Sequence, residues 1–154
     1  MKRSTFLLIH RFLHNFKIDR RDALRLCDAL NRFQMLLNDL CFLQSVSDTE
    51  GGATFHILLK DDHPLYKGHF PGQPVTPGVV LVEIVKELLE NHLDKSLYMT
   101  SMRQCKFLSA HNPVQNPQIG ISASWTSGDE YTVHAVGSSQ SEVFFKLSAC
   151  YREV

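Results

Sequence analysis

Thr76-Pro77-Gly78-Val79-Val80-Leu81-Val82-Glu83-Ile84-Val85-Lys86-Glu87-Leu88-Leu89-Glu90-Asn91-His92-Leu93 reads as one long helix ending at about Leu93. Thr76 is placed as its N-cap and Pro77 at the first helical position, where a missing N–H does no harm. At 100° per residue, Leu81, Val82, Ile84, Val85, Leu88 and Leu89 share one wide apolar face. Glu83, Lys86, Glu87 and Glu90 fall on the other. Periodicity alone thus makes Glu83 a solvated residue, paired with Lys86 at i+3. Val79 and Val80 lie on Glu83's side one turn earlier, so the start of that face is apolar and calls for a cover. A carboxylate partly buried there has its pKa raised by desolvation, the condition a general acid needs near neutral pH.

The segments around the helix read as strands. Ala53–Lys60 alternates Thr, Phe and Ile as a strand does, after a turn signal at Asp48-Thr49-Glu50-Gly51-Gly52. Beyond the helix come Leu97–Leu108, Gln118–Trp125, Tyr131–Val136 and Val143–Arg152. Asn112-Pro113, Ser127-Gly128-Asp129 and Gly137-Ser138-Ser139 separate them, and the spacing is that of an antiparallel meander. Met35–Phe42 reads as a short helix or lead-in. The inventory is α+β: an antiparallel sheet with a single helix on one face.

At 154 residues there is room for one domain with a real core. The formal net charge is zero, which argues against a dedicated nucleic-acid binder. The charge is split, however: residues 1–34 carry a net +5 and residues 35–154 a net −5. Phe6, Ile9, Phe12, Leu13 and Phe16 stand at helical spacing in the first part, and Asp22 opens a second stretch with Leu24, Leu26 and Leu30. Residues 1–34 therefore read as a basic N-terminal extension, helical or outside the native core, and residues 35–154 as the folded domain. A start of translation at Met35 is the simplest alternative. Cys27, Cys41, Cys105 and Cys150 form no C-x-x-C pair, which points to free thiols and a cytoplasmic setting. No apolar run reaches the roughly 18–20 residues of a membrane span.

Between strand and helix lies a loop dense in backbone constraints. Pro64, Pro71, Pro74 and Pro77 fix φ, and Gly68, Gly72 and Gly78 permit what other residues resist. His69 sits in this scaffold, where an imidazole is suited to take a proton near pH 7. The alternatives for His69 are a structural histidine bonded to a carbonyl, or a metal site with Asp61, Asp62 and His63. That spacing matches no metal-binding motif.

Gly68-His69-Phe70-Pro71-Gly72-x-Pro74-Val75-x-Pro77-Gly78-Val79, followed by Glu83, resembles the active-site signature of 3-hydroxyacyl-(acyl carrier protein) dehydratases of the FabZ/FabA type. The fourteen residues from His69 to Glu83 match that family's gap between catalytic histidine and catalytic acid. The signature covers about a tenth of the chain. The resemblance implies a hot-dog fold, a long central helix wrapped by an antiparallel sheet, for residues 35–154. It implies a dehydratase that converts a 3-hydroxyacyl thioester on acyl carrier protein to a trans-2-enoyl thioester without metal or other cofactor. His69 is then the base and Glu83 the acid, from opposite subunits of a dimer. The Gly78 N–H would bind the thioester carbonyl, with Phe70, Val79 and Val80 lining the acyl site. The usual Glu-Ala-x-Ala-Gln of the FabZ type is replaced by Glu83-Ile84-Val85-Lys86-Glu87. The Pro-His-Arg segment before the first strand is missing. In both respects the chain is nearer the short dehydratase-like proteins of aryl-polyene-type pathways.

Two rivals carry different consequences. An acyl thioesterase on the same fold would release free thiol. A catalytically idle partner protein, binding acyl carrier protein, would need neither His69 nor Glu83.

Overall fold

The computed structural model describes residues 36–68 and 72–154. The helical extension expected over 1–34 lies outside the described residues, as do His69 and Phe70.

Six strands form one antiparallel sheet: β1 Cys41–Thr49, β2 Gly52–Leu59, β3 Leu97–Phe107, β4 Gln118–Thr126, β5 Tyr131–Ser139 and β6 Glu142–Glu153. Helix α1, Gly78–Leu93, lies between β2 and β3 in the chain, after a 3-10 turn at Pro64–Gly68. The strand order is β1-β2-β4-β5-β6-β3. The expected meander therefore holds for β4-β5-β6 only. After α1 the chain enters at the far edge, and β3 pairs with β6. A 16-residue helix, at 1.5 Å per residue, is about 24 Å long. That suffices to bridge the roughly 19 Å of four interstrand spacings from β2 to β3.

One face of the sheet carries the core. Ala53, Phe55, Ile57 and Leu59 of β2 alternate inward, as do Ile119, Ile121 and Ala123 of β4 and Val133 and Ala135 of β5. They meet Val79, Leu81, Val82, Ile84, Val85, Leu88 and Leu89 of α1 in one cluster.

Of the two readings of Met35–Phe42, the described part is the lead-in and not the helix: Leu36–Leu40 is a turn leading into β1, which starts at Cys41. β1 is an edge strand with nearly all residues after Cys41 exposed or half-exposed, so it carries no buried alternation to read. The last hairpin turns at Gln140-Ser141, with φ of 48° and 69°, rather than at Gly137-Ser138-Ser139, which belong to β5. Positive φ at both central residues is the demand of a tight hairpin, and Gln-Ser does not advertise it. Finally, α1 is buried on every side from Gly78 to Leu89. Its charged flank is not a solvated face.

Candidate active site

Pro77 is the N-cap of α1, without a side-chain cap, and Gly78 is the first helical residue. This shifts the expected start by one position, because the Thr76 hydroxyl is engaged elsewhere. Thr76 Oγ1 lies 2.9 Å from His111 Nδ1, and the Thr76 N–H donates to the His111 carbonyl at 2.9 Å. His111 Nε2 stands 2.8 Å from the Asn116 carbonyl, which can only accept. A neutral ring therefore carries its proton on Nε2, and Nδ1 accepts from the Thr76 hydroxyl. Burial lowers the His111 pKa, against the Asn116 hydrogen bond, and so favours that neutral ring. The loop between β3 and β4 thus fastens the end of the Pro/Gly segment just before α1.

A bulge in β6 makes this possible. Pairing shifts between Gly137 and Ser138, so Phe144 has no partner in the register and both Phe144 and Phe145 are buried. Phe144 stacks on His111 with centroids 4.8 Å apart. Phe145 stacks on Phe107 at 5.6 Å. The Phe107 ring in turn fills the place where a side chain at Gly78 would stand: a Cβ there would lie 2.2 Å from Phe107 Cζ. The glycine is thus required by a close approach from within the chain. Thr76, Phe107, His111 and Phe144 were not legible in the sequence as parts of this region. Only the pairing of β6 with β3 and β5 brings them to the head of the helix.

Glu83 follows about one and a half turns into α1. It is 1 % exposed. Its Oε1 accepts from Lys86 Nζ at 3.2 Å, and Oε2 is buried with no hydrogen-bond partner among the described residues. Burial pushes the Glu83 carboxyl up to about 7, with the Lys86 ammonium working in the opposite direction. The i+3 pair expected from spacing exists, but in the interior rather than in solvent. Lys86 also stands 3.9 Å from Glu90. Glu87 is occupied separately: its two oxygens accept the Leu36 and Leu37 N–H groups, each at 2.7 Å. Glu90 accepts the Leu97 N–H at 2.7 Å. The family's glutamine position thus holds a carboxylate here, where two N–H donors converge and an amide would turn one donor against another.

Of the other predicted site residues, Val79 and Val80 are buried beside Glu83's turn as part of the core. His63 is bound on both ring nitrogens, with Nε2 3.2 Å from Asp39 and Nδ1 accepting the Leu65 N–H at 3.1 Å. It is therefore not presented toward Asp61 and Asp62 as a ligand. Cys41, Cys105 and Cys150 are free thiols. Burial pushes Cys41 and Cys105 up to about 12, which leaves them poor nucleophiles. No helix of the described residues is long and apolar enough to cross a membrane.

Solved structures with this architecture are hot-dog proteins. The chain superimposes on a component of the dehydratase heterocomplex ApeI:P from Xenorhabdus doucetiae with a TM-score of 0.55, at 16% identity, covering 72% of this chain and 96% of that one. A sigma28-regulated virulence protein from Campylobacter jejuni matches with a TM-score of 0.58 at 10% identity, covering 91% and 95%. A putative thioesterase from Shewanella oneidensis gives 0.51 at 8% identity, covering 86% and 96%. Likeness at these identities speaks for the fold alone. The sequence goes further: residues 45–145 match the family described as ApeI-like, ApeI dehydratase. The chain belongs to the ApeI-like dehydratase family. It is also similar to 3-hydroxyacyl-(acyl carrier protein) dehydratases FabZ, 38% identical over 55 residues to that of Dinoroseobacter shibae and 30% over 88 residues to that of Rickettsia rickettsii. Those matches cover 30% and 57% of this chain, and 34% and 57% of the two relatives, so the chain spans between a third and just over half of their length.

Proposed function

We propose that the protein removes water from a 3-hydroxyacyl thioester, carried on acyl carrier protein, to give a trans-2-enoyl thioester. The observation that carries this is Glu83: a buried carboxyl held near neutrality, with one oxygen engaged by Lys86 and the other unengaged among the described residues. Such a group is protonated often enough near pH 7 to act as an acid. His69, fourteen residues earlier on the Pro/Gly segment, takes the α-proton. Glu83 then protonates the departing hydroxyl, the C–O bond breaks and water leaves.

The thioester carbonyl lies against the head of α1. Val80 and Leu81 are the first helical N–H groups bonded back to the Pro77 carbonyl. The earlier Gly78 N–H is one of the donors a helix start leaves without a helical acceptor, and with the helix dipole it favours negative charge. Phe70, Val79 and Val80 supply the apolar lining for the acyl chain. The active unit is a dimer in which His69 and Glu83 come from opposite subunits.

Incubation with 3-hydroxyacyl carrier protein of several chain lengths, with products followed by mass, tests the reading. With wild type, the acyl-carrier species is expected to become 18 Da lighter, the mass of one water, with no release of free thiol. His69→Ala and Glu83→Gln should each reduce turnover by about 10²–10⁴-fold while remaining folded. Thiol release in place of enoyl formation would mean a thioesterase. Undiminished turnover in either variant would remove that residue from the mechanism.

A further inference from the structure

Lys86 is a charged residue that the interior has no reason to hold unless it does something there. It is 6 % exposed, and a buried ammonium is tolerated only where it is paired. Three carboxylates share its side of α1. Glu87 has both oxygens on the Leu36 and Leu37 N–H groups. Glu90 Oε1 receives the Leu97 N–H and lies 3.9 Å from Nζ, too far for a hydrogen bond. Glu83 Oε1, at 3.2 Å, is the acceptor Lys86 reaches. The other Glu83 oxygen has no partner among the described residues.

We infer that Lys86 is a positioning residue for proton transfer: it holds Oε1 of Glu83 and thereby makes Oε2 the oxygen that carries and delivers the proton. This rests on the function proposed above. An oxygen facing an ammonium accepts its N–H and has no use for an acid proton of its own, so the proton resides on Oε2. On dehydration that proton passes to the leaving hydroxyl as the C–O bond breaks, and the carboxylate left behind is already paired with Lys86. The α-proton rests on His69, and exchange with water resets both groups. The charged groups acting on Glu83 among the described residues are Lys86, Glu87 and Glu90, all on its own helix. Lys86 draws the proton off, while the two carboxylates retain it.

The test uses the full chain with ¹³C-labelled glutamate carboxyls, the Glu83 signal being assigned by its loss in Glu83→Gln. Lys86→Met is expected to raise the Glu83 titration midpoint by one pH unit or more, a tenfold change in its dissociation constant. Lys86→Arg should restore it. The alkaline limb of the kcat/KM profile, where the acid loses its proton, should move up by the same amount, with kcat falling more than KM changes. Where Lys86→Met compromises folding, Lys86→Gln keeps a donor without charge and should show a smaller rise in the same direction. An unmoved midpoint in a folded uncharged variant overturns the inference. A midpoint that moves in a protein without dehydratase turnover leaves the pairing intact and overturns the proposed function instead.

Discussion

Glu83 holds its proton more tightly in the folded protein than in the unfolded chain, from an ordinary 4.5 up to about 7. The folded pKa is raised, so the stability this group contributes is full below about 4.5 and is lost as pH rises through about 7. At 1.36 kcal/mol per pKa unit the loss across that window is about 3 kcal/mol. Chemical denaturation from pH 4.5 to 7.5 should therefore show wild type declining relative to Glu83→Gln by roughly that amount. Parallel profiles for the two proteins would mean that folding leaves the Glu83 pKa unshifted. Strain of this sign is what a site acid requires: the fold gives up stability at neutral pH to keep a carboxyl protonated.

At the scale of elements, the head of α1 is built by contacts between distant segments. β6 bulges at Phe144, two adjacent phenylalanines turn inward, and their stacking seats His111 and Phe107 against Thr76 and Gly78. Gly78→Ala sets two effects against each other. Helix propensity favours alanine by up to about 1 kcal/mol, less at the first helical position. A methyl group 2.2 Å from the Phe107 ring forces the ring out, and overpacking of this kind costs about 1–3 kcal/mol. Net destabilisation is expected in urea unfolding. Phe107→Leu, added to it, should recover part of the loss, so that the double variant is more stable than additivity predicts. Strict additivity would show that Phe107 does not set the size limit at Gly78.

For the whole molecule, the sheet ends in two edge strands, β1 and β3, and such edges need pairing, cover or protection. The proposed division of His69 and Glu83 between subunits requires a second copy. Sedimentation equilibrium of the full chain should give twice its 17.6 kDa mass at assay concentrations. Activity should fall on dilution below the dimer's dissociation constant. Full turnover from a monomer would place both residues of the site on one chain.

Much of this architecture was written in local sequence. α1 was legible because its apolar residues recur at helical period and Pro77-Gly78 marks its start. β2 to β6 were legible because alternation and turn residues survive in strands with one buried face. The spacing from His69 to Glu83 and the Pro/Gly frame around it pointed to the family. β1 was not legible, since an edge strand buries almost nothing after Cys41 and alternation has nothing to record. The position of β3 at the far edge, paired with β6, is a long-range pairing that the turn signals between strands do not encode. Periodicity also misjudged Glu83, Lys86 and Glu87, because it distinguishes apolar from polar side chains but does not tell whether a polar face is covered. Only the tertiary structure showed that this face is buried. Burial is the reason that an ordinary i+3 ion pair becomes a carboxyl poised near neutral pH.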